Sequence, residues 1–509
     1  MERVKKLVDG DSLILIGRGI IVGAIVGLLV GSFRWLIGES ISGWQFFYQK
    51  AHTNQLWLLG ILAALIIMGI FIGILLKQQP HIGGSGIPEV EIQLRGRLDL
   101  NWWKILWRKY VGGLLAIGSG LFLGREGPSI QLGSTVGQGV ASLFKTSKTN
   151  GRTLIACGAA SGLAAAFNAP MAGTMFVLEE IFHNFSSRVW ISALAGSVTA
   201  NFVTSNIFGL KPVLSMKHVM NFPLAQYWQL IVLGVVLGLL GLMYQKNLLA
   251  MPKLYAKIKF LPRYFDGLIP LVLVIPVGYF WPDLLGGGNG LILNLNRTNL
   301  TVLVLLGIFI LRYFFSMVSY GSGLPGGIFL PILTLGAVAG ALYGQVMVNL
   351  GLFSASLIPN LIIFAMAGYF AGIGKAPFTA ILLITEMVGN LSHLMPLAIV
   401  SLVAYLTVDV LRGAPIYESL AEKMLADQML DYSGKTDQLT VCVEEGSSLA
   451  GNEVRNIKWP EKTLLVKITR GERFIIPNGQ TTIHVGDFIT MVVDSNKRLA
   501  IREQLSKHK

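Results

Sequence analysis

Two stretches of this 509-residue chain repeat one another, and both interrupt long apolar runs. Gly124-x-x-x-Pro128-x-x-x-Leu132-Gly133-x-x-x-Gly137 matches Gly327-x-x-x-Pro331-x-x-x-Leu335-Gly336-x-x-x-Gly340. A second pair follows: Ala169-Pro170 with Glu179 nine residues beyond the proline, and Ala376-Pro377 with Glu386 nine residues beyond its own. The offsets, 203 and 207, agree closely enough to make the chain two related halves. Gly84-Ser85-Gly86-Ile87-Pro88 also echoes Gly321-Ser322-Gly323-Leu324-Pro325, but its offset of 237 puts it in another register. Gly and Pro interrupt helices, and broken helices are tolerated at membrane depth only when buried in protein or lining a watery cavity. Duplicated halves with such interruptions in corresponding places point to a transport site where the halves meet. Sequence leaves open whether the halves run parallel or inverted.

The membrane assignment rests on composition. Hydrophobic residues make up 53% and charged residues 13%, against roughly a quarter charged in soluble proteins. Leu13–Leu36, Leu56–Leu76, Gln229–Leu249 and Thr301–Val318 are each about the ~20 residues needed to cross a bilayer. Met1-Glu2-Arg3-Val4-Lys5-Lys6 precedes the first run without a small-residue cleavage site, which reads as a first membrane helix with a cytoplasmic N-terminus. The net charge of +14 is then positive-inside bias plus surface, not a nucleic-acid footprint. Cys157 and Cys442 are too few for a disulfide framework or a metal site, and no cofactor motif is present.

Taken in order, residues 1–80 read as two membrane helices with a polar interruption around Gly38–Gln55, where Trp44, Tyr48 and Trp57 suit an interfacial belt. Gly83-Gly84-Ser85-Gly86-Ile87-Pro88-Glu89 offers a hydroxyl beside free backbone N–H groups, either as an anion donor or as an N-capping serine. Residues 90–108, with Arg95, Arg97, Lys104 and Arg108 among three tryptophans, read as an interfacial segment facing the cytoplasm.

Gly124-Arg125-Glu126-Gly127-Pro128 puts a carboxylate between glycines just ahead of a proline, a helix-starting residue. Glu126 therefore belongs at the N-terminus of a membrane helix, a natural anion site that its own carboxylate can occupy or yield. Thr135-Val136-Gly137-Gln138-Gly139 looks like a potassium-filter sequence but occurs once, and a small-residue packing face explains it better. Glu179-Glu180 closes a broken apolar piece, and ionisable groups there are functional hypotheses by default, although both could simply face cytosolic water or a subunit contact. In the second half Gly326-Gly327-Ile328-Phe329-Leu330-Pro331 carries no charged side chain, so any anion contact there comes from backbone N–H groups. Tyr417 follows a helix-starting proline in Arg412-Gly413-Ala414-Pro415-Ile416-Tyr417. From about Thr436 short alternating strands at 439–443, 463–468, 473–476 and 488–493 make residues 436–509 a small soluble α+β module.

These motifs resemble the CLC family of chloride channels and proton/chloride exchangers, over roughly Leu13 to Leu425. The resemblance rests on GSGIPE at 84–89, GREGP at 124–128, GIFLP at 327–331 and the tyrosine of APIY at 414–417. It implies an all-α polytopic membrane domain, residues 1–428, of two inverted repeats (about 13–210 and 222–412) built from broken, tilted helices. It also implies a homodimer with one pore per subunit. Carried over residue by residue, Ser85 and Tyr417 hold a central chloride with their hydroxyls and Ile328 and Phe329 complete the site with N–H groups. Glu126 is then the extracellular gating glutamate and Glu180 the inner proton-transfer glutamate. An acid at Glu180 favours an exchanger, since channels of the family commonly lack it; the alternative is a passive chloride channel on the same fold. Serine in GSGIP and tyrosine in APIY fit the chloride-type pattern, and the fluoride-exporting branch differs here. The tail, residues 436–509, resembles the C-terminal part of RCK/TrkA-type regulatory modules through Val485-Gly486-Asp487-Phe488-Ile489, with an unknown regulatory ligand. The lack of a signal-peptide pattern and the compact form suggest a bacterial plasma membrane, with both termini expected to be cytoplasmic. An intramembrane enzyme lacks a nucleophile–base pair, and a cation channel lacks acidic rings.

Overall fold

The computed structural model describes residues 10–210, 212–214, 220–259, 261–295, 300–429, 436–443, 447, 449–461, 463–470, 473–494, 501 and 505. They fall into two compact units, Met1–Ala421 and Glu422–Lys509.

The first unit is helical, and eight of its described helices are long and apolar enough to cross a membrane. The opening helix differs from the sequence expectation. Gly10–Thr53 runs unbroken for 44 residues, about 66 Å at 1.5 Å per residue and roughly twice the hydrocarbon thickness. The polar stretch around Gly38–Gln55 does not interrupt it, because no proline lies within it and its polar groups find partners. Ser40 Oγ donates to Gly118 O at 3.1 Å and Gln45 Nε2 to Pro282 O at 3.0 Å. Tyr48 is buried rather than interfacial. The chain turns only at Asn54, whose carbonyl accepts from Trp57 N and whose side chain accepts from Leu56 N. Residues 90–108 are also not one interfacial segment. Ile87–Leu94 is a helix buried at every position, and a new helix, Trp102–Gly118, starts on an Asn101 cap.

The duplication is visible atom by atom. Glu126–Leu143 packs on Lys148–Phe167 as Phe329–Asn349 packs on Ile358–Gly374. The matched glycines allow it: a Cβ on Gly133 would strike Gly158 O, and one on Gly336 would lie 2.7 Å from Ala365 O. Gly137 and Gly340 meet Leu154 O and Leu361 O in the same manner. The second helix of each pair ends on a left-handed residue, Asn168 (φ 54°) and Lys375 (φ 55°), just before Ala-Pro starts a short helix. Those short helices, Pro170–Phe176 and Pro377–Val388, lie against each other. Each receives its cap from the other half. Glu386 accepts from Met171 N (3.1 Å) and Ala172 N (2.8 Å), while Glu179 accepts from Phe378 N (3.2 Å) and Thr379 N (2.8 Å). Helix starts leave N–H groups unsatisfied, and a carboxylate there also meets the positive end of the dipole. The equivalent residues Gly124 and Gly327 exchange N–H···O bonds at 2.7 Å in both directions, as an antiparallel bridge. A bridge between equivalent residues lies on a local two-fold axis, which relates the halves.

The second unit is a four-stranded antiparallel sheet in the order β1-β4-β2-β3, with β1 Thr436–Cys442, β2 Leu464–Arg470, β3 Arg473–Ile475 and β4 Phe488–Asp494. Leu439, Ile468, Ile489, Met491 and Val493 line its core face with Ile501 and Leu505. Asp487 is fully buried and accepts from Arg470 Nε and Nη2, each at 2.8 Å. That hydrogen-bonded pairing, helped by the His484 N–H, holds the Asp487 carboxyl below its ordinary range, while burial pulls the other way. A carboxyl whose value falls on folding stabilises the fold at every pH above its unfolded value, about 3.9, and loses that contribution as pH drops through the lower folded value. Hydrogen exchange on the full chain, corrected for intrinsic rates, should show strands β2 and β4 equally protected from neutrality to about pH 5 and loosening progressively as pH falls below the unfolded value of about 3.9. Asp487→Asn should show the loosening already at neutral pH; unchanged protection there would refute the assignment.

Candidate functional site

Five of the six residues singled out from sequence lie where helices begin. Ser85 lies two residues before Ile87–Leu94; Glu126 is the first residue of Glu126–Leu143; Ile328 and Phe329 flank the start of Phe329–Asn349; Tyr417 is second in Ile416–Met429. Helix starts expose N–H groups and positive partial charge without a fixed cation.

Three of the segments touch through backbone. Gly84 N donates to Gly323 O at 3.3 Å and Gly326 N to Gly84 O at 2.9 Å, which seats the serine loop on the second half. A Cβ on Gly127 would lie 2.8 Å from Ser85 Cβ, and one on Gly327 would lie 3.2 Å from Gly127 N. Ser85, Gly127 and Gly327 are thus stacked, and glycine is required at the two contact points. Ser85 is buried and its Oγ accepts from Ile87 N at 3.3 Å, so it braces the helix start and keeps a proton to donate.

Glu126 is fully buried. Its carboxylate folds into the space a Cβ on Gly124 would fill, beside Leu330 N. Arg125 Nε stands 3.9 Å from Oε1, and Arg34 is a further cation acting on it. Neither oxygen of Glu126 has a hydrogen-bond partner among the described residues. A cavity of about 240 Å³ lined by Leu123, Arg125, Gly287, Asn289 and Leu330 adjoins this end.

Tyr417 joins through aromatic contacts: Phe176 stands edge-on to it at 6.0 Å and to Phe329 at 5.6 Å. Its hydroxyl is buried without a partner among the described residues. Four residues after Phe176, Glu180 sits in the π turn Val177–Ile181, 5% exposed, with Oε1 likewise unpartnered. Glu126 and Glu180 both act electrostatically on Tyr417. Glu179 and Glu180, left undivided by sequence, separate here: Glu179 caps a helix and Glu180 is the buried carboxylate with a free oxygen.

Three supporting residues were missed by sequence reasoning. Lys109 is fully buried, and its Nζ donates to Ile82 O (2.8 Å), Gly83 O (3.4 Å) and Gly84 O (2.8 Å), turning the carbonyls of the serine loop toward a cation. Tyr320 is a hydrogen-bonding neighbour of Ser85. Arg312, fully buried, donates to Gly286 O and Leu284 O at 2.7 Å and lies 4.0 Å from the Phe122 ring centre. The usable signal for Lys109 and Arg312 was a charge inside an apolar run, which is costly unless it works.

Residues 68–409 match the family described as Voltage gated chloride channel, and residues 440–506 match the TrkA-C domain. The chain belongs to the voltage gated chloride channel family. Among similar proteins, the H(+)/Cl(-) exchange transporter ClcA of Vibrio campbellii is 35% identical over 436 residues, covering 81% of this chain and 89% of that protein. Its counterpart in Klebsiella pneumoniae is 33% identical over 460 residues, covering 86% and 95%. The crystal structure of a slow cyanobacterial Cl-/H+ antiporter superposes with a TM-score of 0.77 at 31% identity, covering 82% of this chain and 99% of that one. The family's fold accounts for the broken helices of the first unit, and the TrkA-C domain for the sheet of the second.

Proposed function

We propose that this chain exchanges chloride for protons, with Glu126 as the gating glutamate and Glu180 as the inner proton-transfer group. It is a membrane transporter, not an enzyme, and the relatives described as exchange transporters and antiporters support antiport over passive conduction. The observation that carries the reading in this chain is the pair of buried carboxylates, each with an unpartnered oxygen, that both act on the buried Tyr417 hydroxyl.

Chloride keeps its full charge in a dehydrated site. Hydroxyls of Ser85 and Tyr417 and the N–H groups of Ile328 and Phe329 offer partial positive charge and still permit release, which turnover requires. The Glu126 carboxylate competes for the same positive helix starts when ionised. Protonated, it no longer does, and the anion takes its place. Alternation of one position between carboxylate and chloride couples the two fluxes without a large rocking motion. A passive channel would share every anion contact and have no use for Glu180.

We read the functional form as the homodimer that the family resemblance implies; that all six residues come from one chain supports a complete pathway in each subunit. Arg3, Lys5 and Lys6 before the first apolar helix support a cytoplasmic N-terminus, and the tail is read on the same side. The test is proton uptake into liposomes holding the purified protein, driven by an imposed chloride gradient. Wild type should move protons uphill. Glu180→Gln should lower that uptake about 100-fold, the scale of a lost proton-transfer group, with chloride flux retained. Chloride flux without proton movement in wild type would overturn the exchange; undiminished uptake in Glu180→Gln would overturn the role of Glu180.

A further inference from the structure

Glu180 is buried, so its proton must arrive from solvent through other groups, and one cluster lies in position. The helix Ile87–Leu94 is buried along its length yet carries Glu91, and it packs on the turn Val177–Ile181 that holds Glu180. Arg95, just past that helix, reaches Glu91 Oε1 at 2.5 Å and Glu418 Oε1 at 3.2 Å through the same nitrogen, Nη2. Side-chain exposure falls along the series, from 39% at Glu418 through 28% at Arg95 to 1% at Glu91. The charges acting on Glu180 are Glu91, then Glu179, then Glu418. Glu179 is committed to the start of Pro377–Val388. Glu91 and Glu418 remain, and the unpartnered Oε1 of Glu180, in a residue 5% exposed, is a second feature that a bare acidic cluster lacks.

We propose that Glu418, Arg95 and Glu91 form the solvent-side proton intake for Glu180, with Arg95 as the positioning residue. Glu418 accepts a proton from water at its exposed end and passes it, directly or through water, to Glu180. Each step breaks one O–H bond and forms another, and needs no further reactant. Glu91 stays in its ion pair with Arg95 and supplies fixed negative charge that draws the proton inward. Because one nitrogen serves both carboxylates, Arg95 keeps Glu91 when protonation of Glu418 weakens the outer pair. The inference rests on the exchange reading and extends it to residues outside the anion site.

The experiment measures proton and chloride flux separately in liposomes, with chloride binding by calorimetry, for wild type, Glu418→Gln, Arg95→Gln and Arg95→Lys. Glu418→Gln and Arg95→Gln should slow chloride-driven proton uptake by roughly ten- to a hundred-fold and lower the proton-to-chloride ratio. Chloride binding should be unchanged, and Arg95→Lys should recover part of the ratio. A structural role alone would move both fluxes together and leave the ratio intact. Wild-type ratios in both Gln variants, or joint loss of both fluxes with chloride binding, would overturn the proposal while the exchange reading stands. Failure of wild type itself to move protons would overturn the exchange reading instead.

Discussion

Glu126→Gln is expected to abolish proton transport and leave chloride flux running. Glutamine has nearly the size and shape of the glutamate side chain, so it fits the space kept open by Gly124 without repacking. It carries no negative charge and no titratable proton. The side chain then behaves permanently as the protonated carboxyl does: it does not compete with chloride for the helix starts, and it delivers nothing across the membrane. Chloride-driven proton uptake should fall at least about 100-fold. Chloride flux should persist and lose its dependence on pH over the acidic to neutral range, because the competing anion is gone. Calorimetry should detect chloride binding no weaker than in wild type. Proton uptake surviving in this variant would remove Glu126 from the mechanism. Loss of chloride flux would mean that the carboxylate holds the pathway open rather than closing it.

Gly158→Val is expected to destabilise the protein by about 3 kcal/mol. Gly133 and Gly158 face each other across the pair Glu126–Leu143 and Lys148–Phe167, and a Cβ on Gly158 would lie 2.7 Å from Gly133 C and 3.2 Å from Gly137 N. Those atoms are backbone within a helix and cannot turn aside as a side chain can. The helices must separate, and the first of them carries Glu126 at its start. Overpacking a close-packed interior costs ~1–3 kcal/mol, occasionally more, and backbone obstruction puts this case at the upper end. The measurement is thermal unfolding of the full chain in detergent, followed by size-exclusion chromatography. Gly290→Ala, where a Cβ meets nothing within 4 Å, is the control. A Gly158→Val variant that melts with wild type would show that the helices do not approach as closely as described.

That Ser85, Glu126, Phe329 and Tyr417 stand at helix starts was legible in sequence because the signals for a helix start are local. A carboxylate between glycines before a proline, or a tyrosine after one, can stand at a helix start wherever the helix goes. The same holds for the short broken helices, whose Gly and Pro positions mark their ends, and for the tail strands, which lie within a residue or two of the expected ranges at most ends. Local patterning was a poorer guide to the first helix. Polar residues around Gly38–Gln55 look like an interruption until Gly118 O and Pro282 O are seen to accept from them. Ile87–Leu94 looks interfacial by its neighbours and is buried because other helices cover it.

Glu179 and Glu180 show the division most clearly. They are adjacent and chemically identical, so no property of the sequence alone assigns them different work. A π turn places one of them on the first turn of a helix from the other half and leaves the other buried. By itself, then, the sequence determined the membrane class, the duplication and the residue types at each helix start, since these depend on composition and short-range conformational preference. The tertiary structure decided which atoms meet: the Gly124–Gly327 bridge, the exchanged caps, the Lys109 clamp and the Arg95 link to Glu91 and Glu418. Most of those contacts join segments tens to hundreds of residues apart, and their geometry is set by how buried surfaces close-pack, which no local pattern encodes.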